Sequence, residues 1–136
     1  MKRTLAGLTT PIAIAVALVA GPALAHHSGA MFDRAKTLTL KGTLLEYQFV
    51  APHAWISLLV PSAEDATKMV RWDIEGGTAS RMKAQGVTPE RLRPGDKITI
   101  RAHPLRDGRH GGGLIDITLA DGVLISNNPT KLQVGQ

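Results

Sequence analysis

The histidines are the residues of this chain best suited to chemistry, and two of its five are adjacent. His26 and His27 follow an apolar leader that ends in the small-x-small triplet Ala23-Leu24-Ala25. Cleavage after Ala25 would make His26 the first residue. Its free amine and the imidazoles of His26 and His27 would then lie close to one another. Such nitrogen donors favour Cu(II), with Ni(II) and Zn(II) behind it. Because the amine, with a pKa of about 7.7 to 8.0, must be deprotonated, affinity should weaken as pH falls.

Two further histidines, each beside a proline, are predicted to complete this site. His53 follows Pro52 and His103 precedes Pro104, and both have the outward parity at the end of a predicted strand. The alternative is that each histidine caps its strand end by hydrogen bonding to loop backbone. The sequence therefore predicts a metal site with the four ligands His26, His27, His53 and His103.

A second predicted site is a surface for a small ligand or a protein. Residues 106–113 (RDGRHGGG) are rich in glycine, and successive backbone N–H groups in such a segment can form an anion-binding nest. Arg106 and Arg109 add positive charge, and His110 adds an imidazole from the same loop. Trp55 shares the outward face of its strand with His53. The alternative for residues 106–113 is a flexible hairpin loop.

Catalytic patterns are missing from the sequence. The chain has no cysteine, which excludes thiolate metal sites, cysteine nucleophiles and redox CxxC motifs. It also lacks the GxSxG and HExxH motifs. Its acids, Glu75 and Asp116 among them, are interpreted as solvated surface groups. We therefore expect a protein that is not an enzyme.

The first 25 residues are predicted to be a cleaved signal peptide. Lys2 and Arg3 form the positive start, residues 12–20 form the apolar stretch, and Ala23-Leu24-Ala25 is the cleavage triplet. A retained membrane anchor is the alternative, but the apolar run is shorter than the ~20 residues that span a bilayer. The prediction is an exported, periplasmic protein without stable membrane insertion after cleavage.

Size and charge indicate one mildly basic domain. Without its first 25 residues the chain has 111 residues, with 14 basic and 11 acidic side chains. A nucleic-acid binder usually concentrates more positive charge on one face, so no nucleic-acid partner is expected. The predicted organisation is an N-terminal arm (26–36), a β-barrel domain (37–125) and a flexible tail (126–136).

Five strands and one short helix must position these residues. Residues 37–50 are predicted to form a long strand that bends with a bulge at Gly42, after which the apolar residues Leu45, Tyr47 and Phe49 take the opposite parity. The other predicted elements are strands at 53–60, 67–75, 97–105 and 114–120, a helix at 78–85, a helical turn at 88–91, and a short pairing segment at 123–125.

Three strands, a helix and two closing strands are the order of a five-stranded Greek-key barrel of the OB type. The expected fold class is therefore mainly β, with an OB-like barrel and one short helix between strands 3 and 4. An open sheet with one covering helix is the alternative.

The segments HHSGAMFD, KGTLLEYQFVAPHAWI, RPGDKITI and HPLRDGRHGGGLIDITLADG, in this order behind a leader, resemble a family of small exported bacterial proteins of unknown function. The His-His-Ser start, Pro-His-Ala-Trp and His-Pro-Leu-Arg-Asp-Gly are the most specific parts of the likeness. The resemblance implies one small β-rich periplasmic domain and no established activity.

The resulting functional hypothesis is a periplasmic protein that carries or buffers a transition metal. Copper is the expected metal, with nickel and zinc less favoured. The alternative is a non-catalytic OB-like module of the cell envelope that binds a small ligand or an envelope protein.

Overall fold

Five strands close into a barrel in residues 29–127, the part of the chain that the computed structural model describes. The predicted leader, His26, His27 and residues 128–136 lie outside this range. The elements are β1 (Leu38–Gln48), β2 (Trp55–Pro61), β3 (Met69–Glu75), α1 (Ala79–Ala84), β4 (Lys97–Pro104), β5 (Gly111–Thr118) and β6 (Leu124–Ser126).

The sheet closes because β3 and β5 pair in parallel. The hydrogen-bonded order is β3-β2-β1-β4-β5, and Asp73–Glu75 then pairs with Gly111–Gly113. The predicted five-stranded OB-type barrel with one helix between β3 and β4 is thereby confirmed. The strand β6 pairs with β5 beyond the end of β3. The largest fully buried core side chains are aliphatic: Leu44, Ile56, Leu58, Ile74, Met82, Val87, Leu92, Ile100 and Ile117.

The strand β1 bends through a β-bulge, as its parity change predicted, but at Leu45 rather than Gly42. Leu44 pairs with Leu58 and Glu46 pairs with Ser57, so Leu45 is the extra residue on β1. As the extra residue of the bulge, Leu45 is 37% exposed. Tyr47 then packs against the core.

The helix α1 begins and ends at the predicted caps. The Thr78 hydroxyl accepts a hydrogen bond from the Arg81 backbone N–H, and Gly86 follows the helix with φ of +81°. Met82 is the buried residue of the helix. The predicted helical turn at 88–91 is present, because the Arg91 and Leu92 N–H groups both donate to the Thr88 carbonyl.

The strand β5 corrects two predictions. It begins at Gly111, so the last three glycines of the predicted hairpin loop belong to the sheet. A Cβ at Gly112 would lie 2.6 Å from the His103 carbonyl oxygen, and this close backbone approach requires glycine. Ala102 pairs with Leu114 and Arg101 with Asp116. The sequence alternates Ile115, Ile117 and Leu119 with Asp116 and Thr118, but the bulge makes Ile115 an extra residue and breaks this alternation.

No helix within residues 29–127 is long and apolar enough to cross a membrane.

Candidate functional site

A groove of about 790 Å³ lies on the outer side of β4 and β5, and we call it the histidine groove. Its lining residues come from the arm, the end of β3, α1, β4, β5 and β6; those used below are Gly29, Phe32, Arg34, His53, Glu75, Gly77, Arg81, Arg101, His103, Gly113, Asp116 and Asn127. The structure thus brings His53 and His103, which are 50 positions apart in sequence, into one concave surface. Its volume is within the range of small-molecule sites, about 300 to 1,000 Å³.

His103 is oriented by the arm. Its Nδ1 lies 2.8 Å from the carbonyl oxygen of Lys36. A carbonyl can only accept a hydrogen bond, so Nδ1 carries the proton and donates it. The Nε2 atom of the neutral ring therefore has a free lone pair.

His53 is oriented by the end of β3. Its Nδ1 lies 3.2 Å from the Glu75 carboxylate and 3.3 Å from the Gly76 carbonyl oxygen. The backbone beside it is fixed by two hydrogen bonds. The Ala54 N–H donates to the Gly77 carbonyl, and the Gly76 N–H donates to the Ala54 carbonyl. Both Nδ1 neighbours are acceptors, which favours the same tautomer as in His103.

Glu75 is the acid of this arrangement, and it was not expected to be buried. Its residue exposure is only 8%. Burial raises the pKa of this carboxyl above its ordinary value, and the nearby His53 opposes that rise. The prediction of a solvated Glu75 was wrong, because the side chain is buried with its carboxylate against the His53 ring.

The Nε2 atoms of both groove histidines make no hydrogen bond within the part of the chain that is described. The strand-end capping that was the alternative for these histidines therefore occurs through Nδ1, and Nε2 stays available. Among residues 29–127, no three His, Asp and Glu side chains form a group that could hold a metal ion. Because His26 and His27 lie outside the described residues, the four-histidine site stays a prediction.

An ion pair lies beside His103 in the groove. The Arg101 Nε lies 2.9 Å from both Asp116 oxygens, and its Nη2 also bonds to Asp116. Asp116 is only 4% exposed, so the expected solvated acid is instead a buried partner that raises the pKa of Arg101. Arg101 shares the outward parity of His103, which is the one sequence signal that could have found it.

Comparison with known proteins places this chain in a family. Residues 14–114 match the model of a family of unknown function, DUF6152. The chain belongs to this family. No curated protein matches this DUF6152 chain. A solved structure similar to it is the mitochondrial single-stranded DNA binding protein Rim1 of S. cerevisiae, with 14% identity and a TM-score of 0.47. The match covers 62% of this chain and 92% of that one.

The four residues predicted to bind a ligand in this DUF6152 chain do not line the groove. Trp55 is 38% exposed at the start of β2. The Nε atom of Arg106 donates to the Ala30 carbonyl, and that of Arg109 lies 2.7 Å from the Asp107 carboxylate. The ring of His110 lies over Trp72, with centroids 4.9 Å apart. Two other arginines that line the groove, Arg34 and Arg81, gave no signal in the sequence because their placement depends on tertiary packing.

Proposed function

We propose that this chain is an exported, periplasmic protein that binds a transition metal ion, copper foremost, and carries or buffers it. One observation carries the proposal: His53 and His103 line the same groove, and each engages Nδ1 with a protein acceptor while Nε2 is free.

This arrangement suits metal ligation because the second ring nitrogen fixes the first. Histidines that bind metals usually donate their other N–H to a carboxylate or a backbone carbonyl, which sets the tautomer and raises the basicity of the ligand. Lys36 supplies a carbonyl for His103, and Glu75 with Gly76 supplies both kinds of acceptor for His53.

The arm gives the amino-terminal pair a route to the same groove. Gly29 lines the groove, and only two residue-to-residue steps of 3.80 Å, or about 8 Å of chain at most, separate His27 from it along the backbone. The arm is held on the barrel because the Asp33 N–H donates to the Pro104 carbonyl at 2.8 Å. The Arg106 N–H likewise donates to Met31 at 2.9 Å.

The donor chemistry supports copper and a non-catalytic role. Imidazole and amine nitrogens bind Cu(II) more tightly than Ni(II) or Zn(II) in the usual order of stabilities. The sequence supplies no thiolate and no catalytic motif. The leader with its cleavage triplet supports export and a mature chain that starts at His26.

Titration of the correctly processed protein with Cu(II), followed by calorimetry, tests this proposal. His53→Gln and His103→Gln should each weaken binding by about tenfold or more, since each removes one nitrogen ligand. His110→Gln is the matched control, because His110 lies on Trp72 outside the groove. Intact mass of the exported protein should correspond to a chain that begins at His26.

A second variant tests the amino terminus. One alanine added before His26 displaces the free amine from the two imidazoles, and binding should weaken while the barrel is unchanged. Wild-type affinity for Cu(II) in both groove variants would contradict a metal site in the groove. Wild-type affinity for Cu(II) in the extended chain would contradict a site at the amino terminus.

A non-catalytic ligand-binding module is the second candidate function. The groove volume favours it, because about 790 Å³ far exceeds the space of a single ion. Specific binding of a small molecule or an envelope protein by metal-free protein would support this candidate.

A further inference from the structure

The histidine groove also carries positive charge from arginine side chains. Three arginines line it: Arg34 from the arm, Arg81 from α1 and Arg101 from β4. Arg101 is neutralised by Asp116, and the remaining acid, Glu75, lies against His53. The guanidinium groups of Arg34 and Arg81 therefore face the groove without a carboxylate partner among residues 29–127.

Arg34 makes no hydrogen bond or ion pair within the described part of the chain. Its position depends on Gly29, because a Cβ added there would lie 2.7 Å from Nη2 and 3.7 Å from Cζ of Arg34. The guanidinium thus lies directly over the backbone of the arm, in space that any other residue at position 29 would fill.

Arg81, which belongs to α1, is also placed against a glycine. A Cβ at Gly77 would lie 3.3 Å from the Arg81 Cδ, so this side chain also crosses a glycine. One nitrogen, Nη2, donates to the Asn127 carbonyl and orients the group. The other N–H groups of the guanidinium have no partner in the described residues.

We infer that the groove binds a small anion that carries two or more oxyanion groups, one held by Arg34 and another by Arg81. A guanidinium is always charged and presents a planar fork that matches carboxylate or phosphate oxygens. Two such groups, one from the arm and one from α1, favour a ligand with more than one anionic group. The free Nε2 atoms of His53 and His103, which line the same groove, accept hydrogen bonds from hydroxyl groups of the ligand.

This inference deepens the second candidate function and does not depend on metal. It therefore requires protein stripped of metal by a chelating resin, because polycarboxylates themselves bind copper. The processed full-length chain is titrated by calorimetry with citrate, with inorganic pyrophosphate and with acetate. Acetate is the matched control ligand, since it has the carboxylate chemistry of citrate but only one such group.

Citrate or pyrophosphate should bind, acetate should bind at least about tenfold more weakly, and the tighter of the first two identifies the oxyanion as carboxylate or phosphate. Arg34→Gln and Arg81→Gln should each weaken binding by about tenfold or more, since each removes charged hydrogen bonds. Arg109→Gln should bind as wild type, because Arg109 lies outside the groove with Asp107.

Gly29→Ala tests the placement of Arg34 without removing its charge. The new methyl group displaces only the end of a flexible side chain, so the unfolding midpoint should not change while anion affinity falls. The inference is overturned if neither polyanion binds, or if either arginine variant binds as tightly as wild type. Copper titration of the arginine variants is a separate measurement, so failure of the metal site and failure of the anion site are distinguishable.

Discussion

Asp116 is a buried carboxylate in a β-strand, and Arg101 is its ion-pair partner. Arg101→Met should lower the free energy of unfolding by about 2 kcal/mol, because it leaves a buried charge without its hydrogen bonds. Asp116→Asn should cost less, since the half-exposed Arg101 can be solvated by water. Urea denaturation measures both variants. A larger loss in Asp116→Asn than in Arg101→Met would contradict the assignment of Asp116 as the buried partner.

Tyr47 is the only tyrosine of the chain, so its ionisation can be followed directly. Its hydroxyl donates to the Val87 carbonyl at 3.1 Å, and burial raises its pKa to about 12. Phenolate absorbance of the native protein should therefore titrate near pH 12, against about 10 in urea. Because the folded pKa is the higher one, this stability is complete below pH 10 and is lost as pH rises towards 12.

Tyr47→Phe is the control for that titration. It removes the phenolate signal, and it should also remove the part of the alkaline stability loss that belongs to Tyr47 rather than to lysines. A native midpoint near pH 10 would contradict the burial of this hydroxyl.

Single residues were predictable where strand alternation alone decides their side of the sheet. Alternation gave His53, His103 and Trp55 their outward positions, because successive side chains point to opposite faces. It could not give the carbonyls that orient the rings, since Lys36 is 67 positions from His103. Glu75 and Asp116 were misjudged because an acid is buried only when a distant partner covers it.

At the level of elements, the close approach of β1 to β2 depends on Gly42. A Cβ at Gly42 would overlap the Leu59 carbonyl oxygen and lie about 3.0 Å from a methyl group of Leu58. Gly42→Ala should therefore lower the free energy of unfolding by about 2 kcal/mol, because backbone of β2 must shift. Thr39→Ala, at an exposed position of the same strand, is the control. Equal midpoints for the two variants in urea would contradict the close approach of β1 and β2.

Element boundaries were predictable where capping residues mark them. Thr78 and Gly86 delimit α1 because one satisfies a free N–H and the other adopts a positive φ. The start of β5 was missed because Gly111–Gly113 has no side chains to alternate. Only their pairing with neighbouring strands shows that these glycines form a strand. Gly113 pairs with His103 of β4, and Gly111 pairs with Asp73 of β3.

At the scale of the whole molecule, the barrel could be predicted from the order of its elements, but the groove could not. Strand, helix and turn signals are local, and their sequence left few topologies to consider. The histidine groove instead combines the arm, the segment after β3, and the outer face of β4 and β5. These segments meet only after the barrel has closed, so no local pattern could have joined Arg34 to His53 or Arg81.

Within residues 29–36, Phe32 is the buried side chain that packs the arm on the barrel, beside the backbone hydrogen bonds described above. Its side chain is 9% exposed and lies on Gly113, where an added Cβ would come within 2.9 Å of the ring, but it is outside the main core cluster. Phe32→Ala should therefore release the arm locally. The free energy of unfolding of the barrel, followed by tryptophan fluorescence, should change by less than about 1 kcal/mol.

The same substitution should weaken Cu(II) binding about tenfold, because a detached arm lowers the effective concentration of the amino-terminal histidines at the groove. Met31→Ala is the matched control, since Met31 neighbours Phe32 on the arm but is 40% exposed. If Phe32→Ala unfolds the barrel, the arm is part of the core. If it preserves both the barrel and wild-type copper affinity, the amino-terminal pair and the groove act as separate sites.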